Sequence, residues 1–295
     1  MRSRHTCYTS ITPPPPLSHI VASCWAYQGY APAHAKDRVL PSGTIEIIIP
    51  LRRQPLVVHE GDRGSRQLRG AVVTGIQSRF FDIDTAQQRD LLGVHVRAGC
   101  ASGLLGIPAD AIEEDHVELS ALWGPAADAL VDSLASAASL ADAFTLLLEA
   151  LTLQVRTTGG AARHPAVEGA LTRLAEGGCE TPVVELAAEL GLSHRRFVEL
   201  FRRDVGTTPK RFARLRRFQA VVRAAQEGPL TRGLPWSSIA QQTGHFDQSH
   251  LVHELRAFAG MTPGRLASLR PTHREVPLEE RGQILPIPDD VRVPG

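Results

Sequence analysis

Leu186-Ala187-Ala188-Glu189-Leu190-Gly191-Leu192-Ser193 and Ile239-Ala240-Gln241-Gln242-Thr243-Gly244-His245-Phe246-Asp247 state one pattern twice in a chain of 295 residues. In each, an apolar residue and an alanine are followed after three residues by a glycine, and then by a helix-capping side chain, Ser193 or Asp247. Beyond the caps the copies run at a constant offset of 54 residues, pairing Phe197 with Leu251 and Phe201 with Leu255. Gly206-Thr207-Thr208-Pro209 and Gly260-Met261-Thr262-Pro263 close them at the same offset of 54, and the second turn carries one extra residue. The grammar is that of two helix–turn–helix units. A small alanine lets the second helix cross close to the first, and the glycine ends the first helix where the chain needs φ > 0. The serine or aspartate then caps the helix that follows.

In the first unit Val184, Ala187 and Ala188 are expected on the inner face of the supporting helix. Phe197, Leu200, Phe201 and Val205 recur at helical spacing and must face inward. The outward stripe is then Arg195, Val198, Glu199 and Arg202, with Arg196 beside it at the N-terminal end. In the second unit Leu251, Leu255 and Phe258 face inward, and Gln248, Ser249, Val252, His253 and Arg256 face out. An arginine near the start of such a helix can bond guanine O6 and N7 together, and a glutamine suits adenine N6 and N7. These ten outward residues are the candidate base readers. Between the units Pro209 opens a long helix with Phe212, Leu215 and Val222 on its buried side. Its Lys210, Arg211 and Arg214, together with Arg203, are candidates for phosphate contacts, which position a protein without reading sequence.

Charge follows the repeat. The formal net charge of +1 divides into −3 over residues 1–160, +6 over 161–270 and −2 over 271–295. Residues 193–217 alone hold nine Lys/Arg against two acids. Such asymmetry suits a nucleic-acid-binding module attached to something else.

That other part reads as β-rich. Thr44–Ile49, Leu56–His59, Gly70–Gly75, Phe80–Ile83 and Leu91–Val96 are short apolar runs separated by glycines, prolines and charges. Pro108–Ile112 suggests a short helical piece and Pro125 opens a longer helix. Phe144, Leu147, Leu148, Leu151 and Val155 form one helical stripe, suited either to packing on the β domain or to a dimer face. Thr157-Thr158-Gly159-Gly160 reads as a linker. His164-Pro165 opens a helix through Leu174 that Gly177-Gly178 ends, and Thr181-Pro182 reads as the cap and first residue of the next. The expected architecture is α+β in two domains: a β-rich sandwich or half-barrel with packed helices over 19–158, and an all-α tandem helix-turn-helix domain over 163–270. Residues 1–18, stiffened as polyproline II at Pro13–Pro16, and the proline-rich residues 271–295 are expected as an N-terminal and an extended C-terminal tail.

From here the resemblance can be stated. Residues 165–270, and above all Gly244-His245-Phe246-Asp247-Gln248-Ser249-His250-Leu251 with Gly260-Met261-Thr262-Pro263, resemble the DNA-binding domain of the AraC-type (AraC/XylS) transcription regulators. Leu40–Ile49 and Gly93–Gly99 are more loosely similar to a β-rich domain that precedes the module in some members. The resemblance implies a sequence-specific DNA-binding transcription regulator whose two units read successive major grooves, modulated by an N-terminal sensor or dimerisation domain. Implied partners are double-stranded DNA, a small-molecule effector of unassigned identity, a second copy of the chain as a homodimer and, in an activator, RNA polymerase. Three residues depart from the family's habit: Glu199 and His253 stand where basic residues are common, and His245 where an aromatic is usual. They bear on the operator sequence.

Other chemistry finds little support. Cys7, Cys24, Cys100 and Cys179 lie far apart without CxxC spacing, as reduced core thiols of a cytoplasmic protein do. His19, His34, His59, His95 and His116 form no His-x-His pair of a metal-binding β domain. Gly61-Asp62-Arg63-Gly64-Ser65 reads as a turn, and no nucleophile elbow occurs. Glu113-Glu114-Asp115 reads as solvated surface. No membrane, cofactor, metal or catalytic residue is implied. The alternative is a small-molecule-binding protein or a metal-dependent β-domain enzyme with a helical appendage that does not read DNA.

Overall fold

A computed structural model describes residues 7–160, 163–175, 182–227, 235–269 and 284–287. Ten strands build the N-terminal domain: β1 (Cys7–Ile11), β2 (Val21–Gln28), β3 (Lys36–Val39), β4 (Ile45–Pro50), β5 (Leu56–His59), β6 (Ser65–Leu68), β7 (Val72–Thr74), β8 (Phe81–Asp84), β9 (Asp90–Val96) and β10 (His116–Glu118). An eleventh, β11 (Ile284–Ile287), returns from the far end of the chain. They form two sheets, ordered β1-β2-β9-β4-β7-β10 and β11-β3-β8-β5-β6, and every pairing is antiparallel.

The six-stranded sheet is a middle layer, which explains the run Ile45–Ile49. Ile45, Ile47 and Ile49 join the larger core shared with the helices. Ile48 packs in the second core, between the sheets, with Trp25, Tyr27, Val72 and Leu91. Because side chains alternate across a strand, the consecutive Ile47, Ile48 and Ile49 fill both faces. Cys24 and Cys100 are free and buried, and burial pushes the Cys24 thiol up to about 12.

Helices α1 (Ser102–Leu105), α2 (Ser120–Trp123), α3 (Pro125–Ala135) and α4 (Leu140–Thr157) cover the outer face. Phe144, Leu147, Leu151 and Val155 of the α4 stripe are buried in the larger core, with Leu148 half-buried beside them. Of the two readings of that stripe, packing within the chain is the one observed.

Several expectations need correction. Residues 7–11 are not tail: β1 pairs with β2 along its whole length, and the chain then turns at Pro15–Pro16 into a 3-10 turn at Leu17–His19, not a polyproline II stretch. Residues 284–287 are extended but docked, since β11 pairs with β3 and Leu285 is fully buried. Glu113 and Glu114 are not free surface, because both meet arginines of the helical domain.

The C-terminal domain holds α5 (Pro165–Ala175), α6 (Val183–Glu189), α7 (His194–Val205), α8 (Pro209–Glu227), α9 (Trp236–Gln242), α10 (Gln248–Ala259) and α11 (Pro263–Ser268). Gly177, Gly178 and Thr181, read as helix end and cap, lie outside the described residues; Pro182 precedes α6 instead of opening it. On α6 the buried residues are Leu186 and Ala187, whereas Val184 and Ala188 are exposed, so the inner face is rotated from the one expected.

Candidate nucleic-acid interface

Both units are built by the same local rules. Gly191 and Gly244 take φ of 71° and 72° after their supporting helices. Ser193 then accepts from the Arg196 backbone N–H at the start of α7, and Asp247 from that of His250 at the start of α10. Each satisfies a donor that the helix itself cannot. Gly206 and Gly260 end α7 and α10 in the left-handed region, at φ 95° and 64°.

These two glycines also meet the β domain. A side-chain carbon on Gly206 would lie 3.2 Å from the Ala109 carbonyl oxygen, and one on Gly260 would lie 2.2 Å from the Phe80 ring. Arg38 of β3 covers Phe80 at 3.7 Å and donates to the Ala259 carbonyl. Gln219 of α8 donates to the carbonyl oxygens of Pro41 and Ser42. The helical domain therefore rests on the β domain through both of its units.

The inward faces are buried as expected: Phe197, Leu200, Phe201 and Val205 on α7, and Leu251, Leu255 and Phe258 on α10. Outward, Arg195, Arg196, Glu199, Arg202, Gln248, Ser249, His253 and Arg256 are exposed, with Val198 and Val252 half-buried among them. The Arg195 side chain is 90% exposed and pairs with Glu199 at 2.9 Å. Of the phosphate candidates, Arg203 and Lys210 are exposed, while Arg211 and Arg214 are half-buried.

Several of these cations are already engaged by carboxylates, Arg203 by its neighbour Asp204 at 3.0 Å. Glu113 follows the 3-10 turn Ala109–Ile112 on which α7 packs. Its carboxylate is 11% exposed and lies 3.0 Å from both Arg202 and Arg211. Glu114 adds a second contact to Arg211 at 3.3 Å, and holds φ at +59°, a conformation that side chains of its kind rarely adopt. Arg214 bonds Glu254 at 2.8 Å.

Glu254 is the residue that sequence reasoning missed on α10. It occupies the position of Leu200 in the first unit and is 2% exposed, yet it accepts from Arg214 and His245, with Arg217 and His250 nearby. Burial alone would raise its carboxyl. The bonds from His245 and Arg214, with the Arg217 charge, outweigh that and hold it at about 2. His245 also meets Thr243 through Nδ1 at 2.9 Å, so the departure from the usual aromatic is one half of a buried pair. Phe246 was missed too. It is 93% exposed, directly before the Asp247 cap, and an apolar residue in an otherwise polar turn was its only signal.

The β domain holds a cavity of about 80 Å³ between its sheets, walled by aromatic and aliphatic side chains with few polar groups. Among the described residues no helix is long and apolar enough to cross a membrane.

Comparison with known proteins agrees with this division. Residues 9–118 match a domain of unknown function, DUF6597, and residues 186–268 match a helix-turn-helix domain. No curated protein matches the chain. Among solved structures, ToxT from Vibrio cholerae strain SCE256 with an unsaturated fatty acid bound is similar at 8% identity, covering 90% of this chain and 97% of that one, with a TM-score of 0.44. An apo ToxT variant from the same strain gives 11% identity, 90% and 98% coverage and a TM-score of 0.45. The AraC-like transcriptional activator CuxR gives 13% identity, 67% and 73% coverage and a TM-score of 0.20. The helix-turn-helix match spans both capped, glycine-ended units, so residues 186–268 form a helix-turn-helix domain.

Proposed function

We propose that α7 and α10 enter successive major grooves of one duplex, with Arg195, Arg196, Val198, Glu199 and Arg202 reading one half-site and Gln248, Ser249, Val252, His253 and Arg256 the other. Arg203, Lys210, Arg211 and Arg214 supply phosphate contacts. Phe246 adds an apolar contact of the kind that suits a thymine methyl. One observation carries this reading: every outward residue of both helices is at least partly exposed while every inward one is buried, on helices capped and ended alike.

Regulation would act through a latch between the domains, the hold of Glu113 on Arg202 and Arg211. Arg202 and Arg211 cannot serve DNA fully while Glu113 holds them. The cavity wall and the contacts to the helical domain share strands. Val39 and Phe81 line the cavity next to Arg38 and Phe80, and His116 lines it two residues after Glu114. A small-molecule effector between the sheets would shift the latch by binding one of its arrangements better than the other. The chain acts by binding, and pairing of two copies or contact with RNA polymerase would sit on top of that.

The test is a salt titration of binding to operator and random duplexes by fluorescence anisotropy. Log affinity should fall steeply and linearly with log salt, at about −0.9 per phosphate neutralised. A flat response would remove the reading.

A further inference from the structure

The cavity between the sheets has a chemistry of its own. It is lined by side chains of both sheets, Trp25, Tyr27 and Ile48 on one side and Val58, Phe81 and Ile83 on the other. At about 80 Å³ it is far smaller than the roughly 300 Å³ of a drug-sized site, which limits its occupant to about one ring. Gly93 is what makes the wall aromatic. It pairs directly with Trp25 across β2 and β9, and a side-chain carbon there would lie 2.0 Å from the indole. The glycine lets the indole lie flat over the sheet.

Two nitrogens in this wall have no partner among the described residues: Trp25 Nε1 and His116 Nε2. Both side chains are buried, His116 at 1% exposure. Its other nitrogen, Nδ1, meets the Thr74 hydroxyl at 3.0 Å, which fixes the ring and leaves Nε2 for something else. The ring also stands edge-on to Phe81, at 4.6 Å between centroids. Burial, with the Arg66 charge, brings this imidazole down to about 4, so it is neutral near pH 7. Native interiors rarely leave such groups unpaired, because a buried donor or acceptor without a partner keeps the cost of its lost hydration. The wall also holds the Glu46 carboxylate, 3.2 Å from His95. A carboxylate beside an apolar cavity disfavours an anionic occupant, since like charges would meet at low dielectric.

We infer that this cavity is a binding site for a small, uncharged aromatic molecule bearing a hydroxyl or carbonyl oxygen, which accepts from Trp25 Nε1–H and bonds His116 Nε2. The inference rests on the reading of the β domain as an effector domain and names the ligand class for it. Stacking area comes from the aromatic wall, selection from the two nitrogens, and rejection of carboxylates from Glu46.

Calorimetric titration of the full chain with phenol, toluene, benzoate and benzylammonium tests it. Phenol should bind at least about fivefold more tightly than toluene, and benzoate should bind at least about tenfold more weakly than phenol. The indole N–H resonance of Trp25 should shift with the same midpoint as the phenol isotherm. His116→Phe should bring phenol down to the toluene level. Should that variant fail to fold, Trp25→Phe, which keeps an aromatic ring and removes the indole donor, should narrow the gap between phenol and toluene. Benzoate or benzylammonium binding as tightly as phenol, toluene equalling phenol, or phenol affinity unchanged in both folded variants would overturn the assignment. So would a chain that ignores all four probes while showing the salt-dependent DNA binding described above; that result would leave the regulator reading standing. Phenol binding without DNA binding would do the reverse.

Discussion

The two helix–turn–helix units share their turns and caps but are held together differently. In the first, Leu200 fills the space between α7 and its neighbours, and the reading face is strongly basic. In the second, the equivalent position is Glu254, tied to Arg214 and His245, and the reading face carries Gln248, Ser249 and His253. One unit is a greasy core with charge outside. The other has charge in its core and a nearly neutral exterior. The first is thus suited to grip, and the second to discriminate by polar hydrogen bonds. The β domain treats them differently as well, meeting the first with carboxylates and the second with an arginine over a phenylalanine ring.

The largest effect should come from Glu254. Truncation to alanine strands the buried His245 and the half-buried Arg214 and should cost about 3–5 kcal/mol. Leu200→Ala in the first unit, a cavity without stranded charge, should cost about 2–5 kcal/mol. Urea unfolding separates them through pH. With its folded carboxyl at about 2 against 4.5 when free, Glu254 contributes stability that is fully present above about pH 4.5 and is lost as pH falls toward 2. The integrated loss is about 3 kcal/mol. Glu254→Gln should flatten that part of the profile, whereas Leu200→Ala should keep the wild-type slope; equal slopes in all three would refute the buried pair.

Next in size is Arg195→Ala, which should cost roughly tenfold in affinity for operator, concentrated at one base position. Ser249→Ala, the matching change in the second unit, should cost less. Equal losses on operator and random DNA would move Arg195 from reader to phosphate clamp. Removing the caps probes the common frame: Ser193→Ala and Asp247→Ala should each lower stability by about 1 kcal/mol in thermal unfolding, and a marked inequality would show that the frames are not equivalent.

The smallest effect is expected at the latch. Glu113→Gln should raise DNA affinity by up to about fivefold, because partly exposed ion pairs are worth little individually. Among the described residues no carboxylate holds Arg256, the equivalent of Arg202 in the second unit. Unchanged affinity in Glu113→Gln would mean that the latch does not compete with DNA.

The parts legible in the sequence are those governed by local rules. Caps, left-handed glycines and the inward stripes of α7 and α10 each depend on neighbours within one or two helical turns. The run Ile45–Ile49 announced a strand because it is buried on both faces. What escaped reading depends on distant partners. Lys36-Asp37-Arg38-Val39 looks like a loop, but Asp37 is buried and accepts from Tyr30, Gln88 and His34, and β11 covers that edge from nearly 250 residues away in sequence. An acidic run is ordinarily solvated, and nothing local distinguishes Glu113 until Arg202 and Arg211 arrive from 89 and 98 residues away. Of the candidate readers, spacing alone placed each on the correct side of its helix; the prior engagement of Arg202 had no sequence signal.

The return of β11 to the sheet edge gives the helical domain two moorings. The chain leaves the β domain after α4 and comes back at Ile284, which itself lines the cavity. A lobe fastened at both ends can pivot but cannot drift, so any separation of the two domains would be reversed by a unimolecular step with a high local concentration of its own docking surface. Engineering has a matching lesson: a fusion partner appended near residue 284 would pull on the same thread that walls the cavity, and a purification tag placed there would report on regulation as much as on yield.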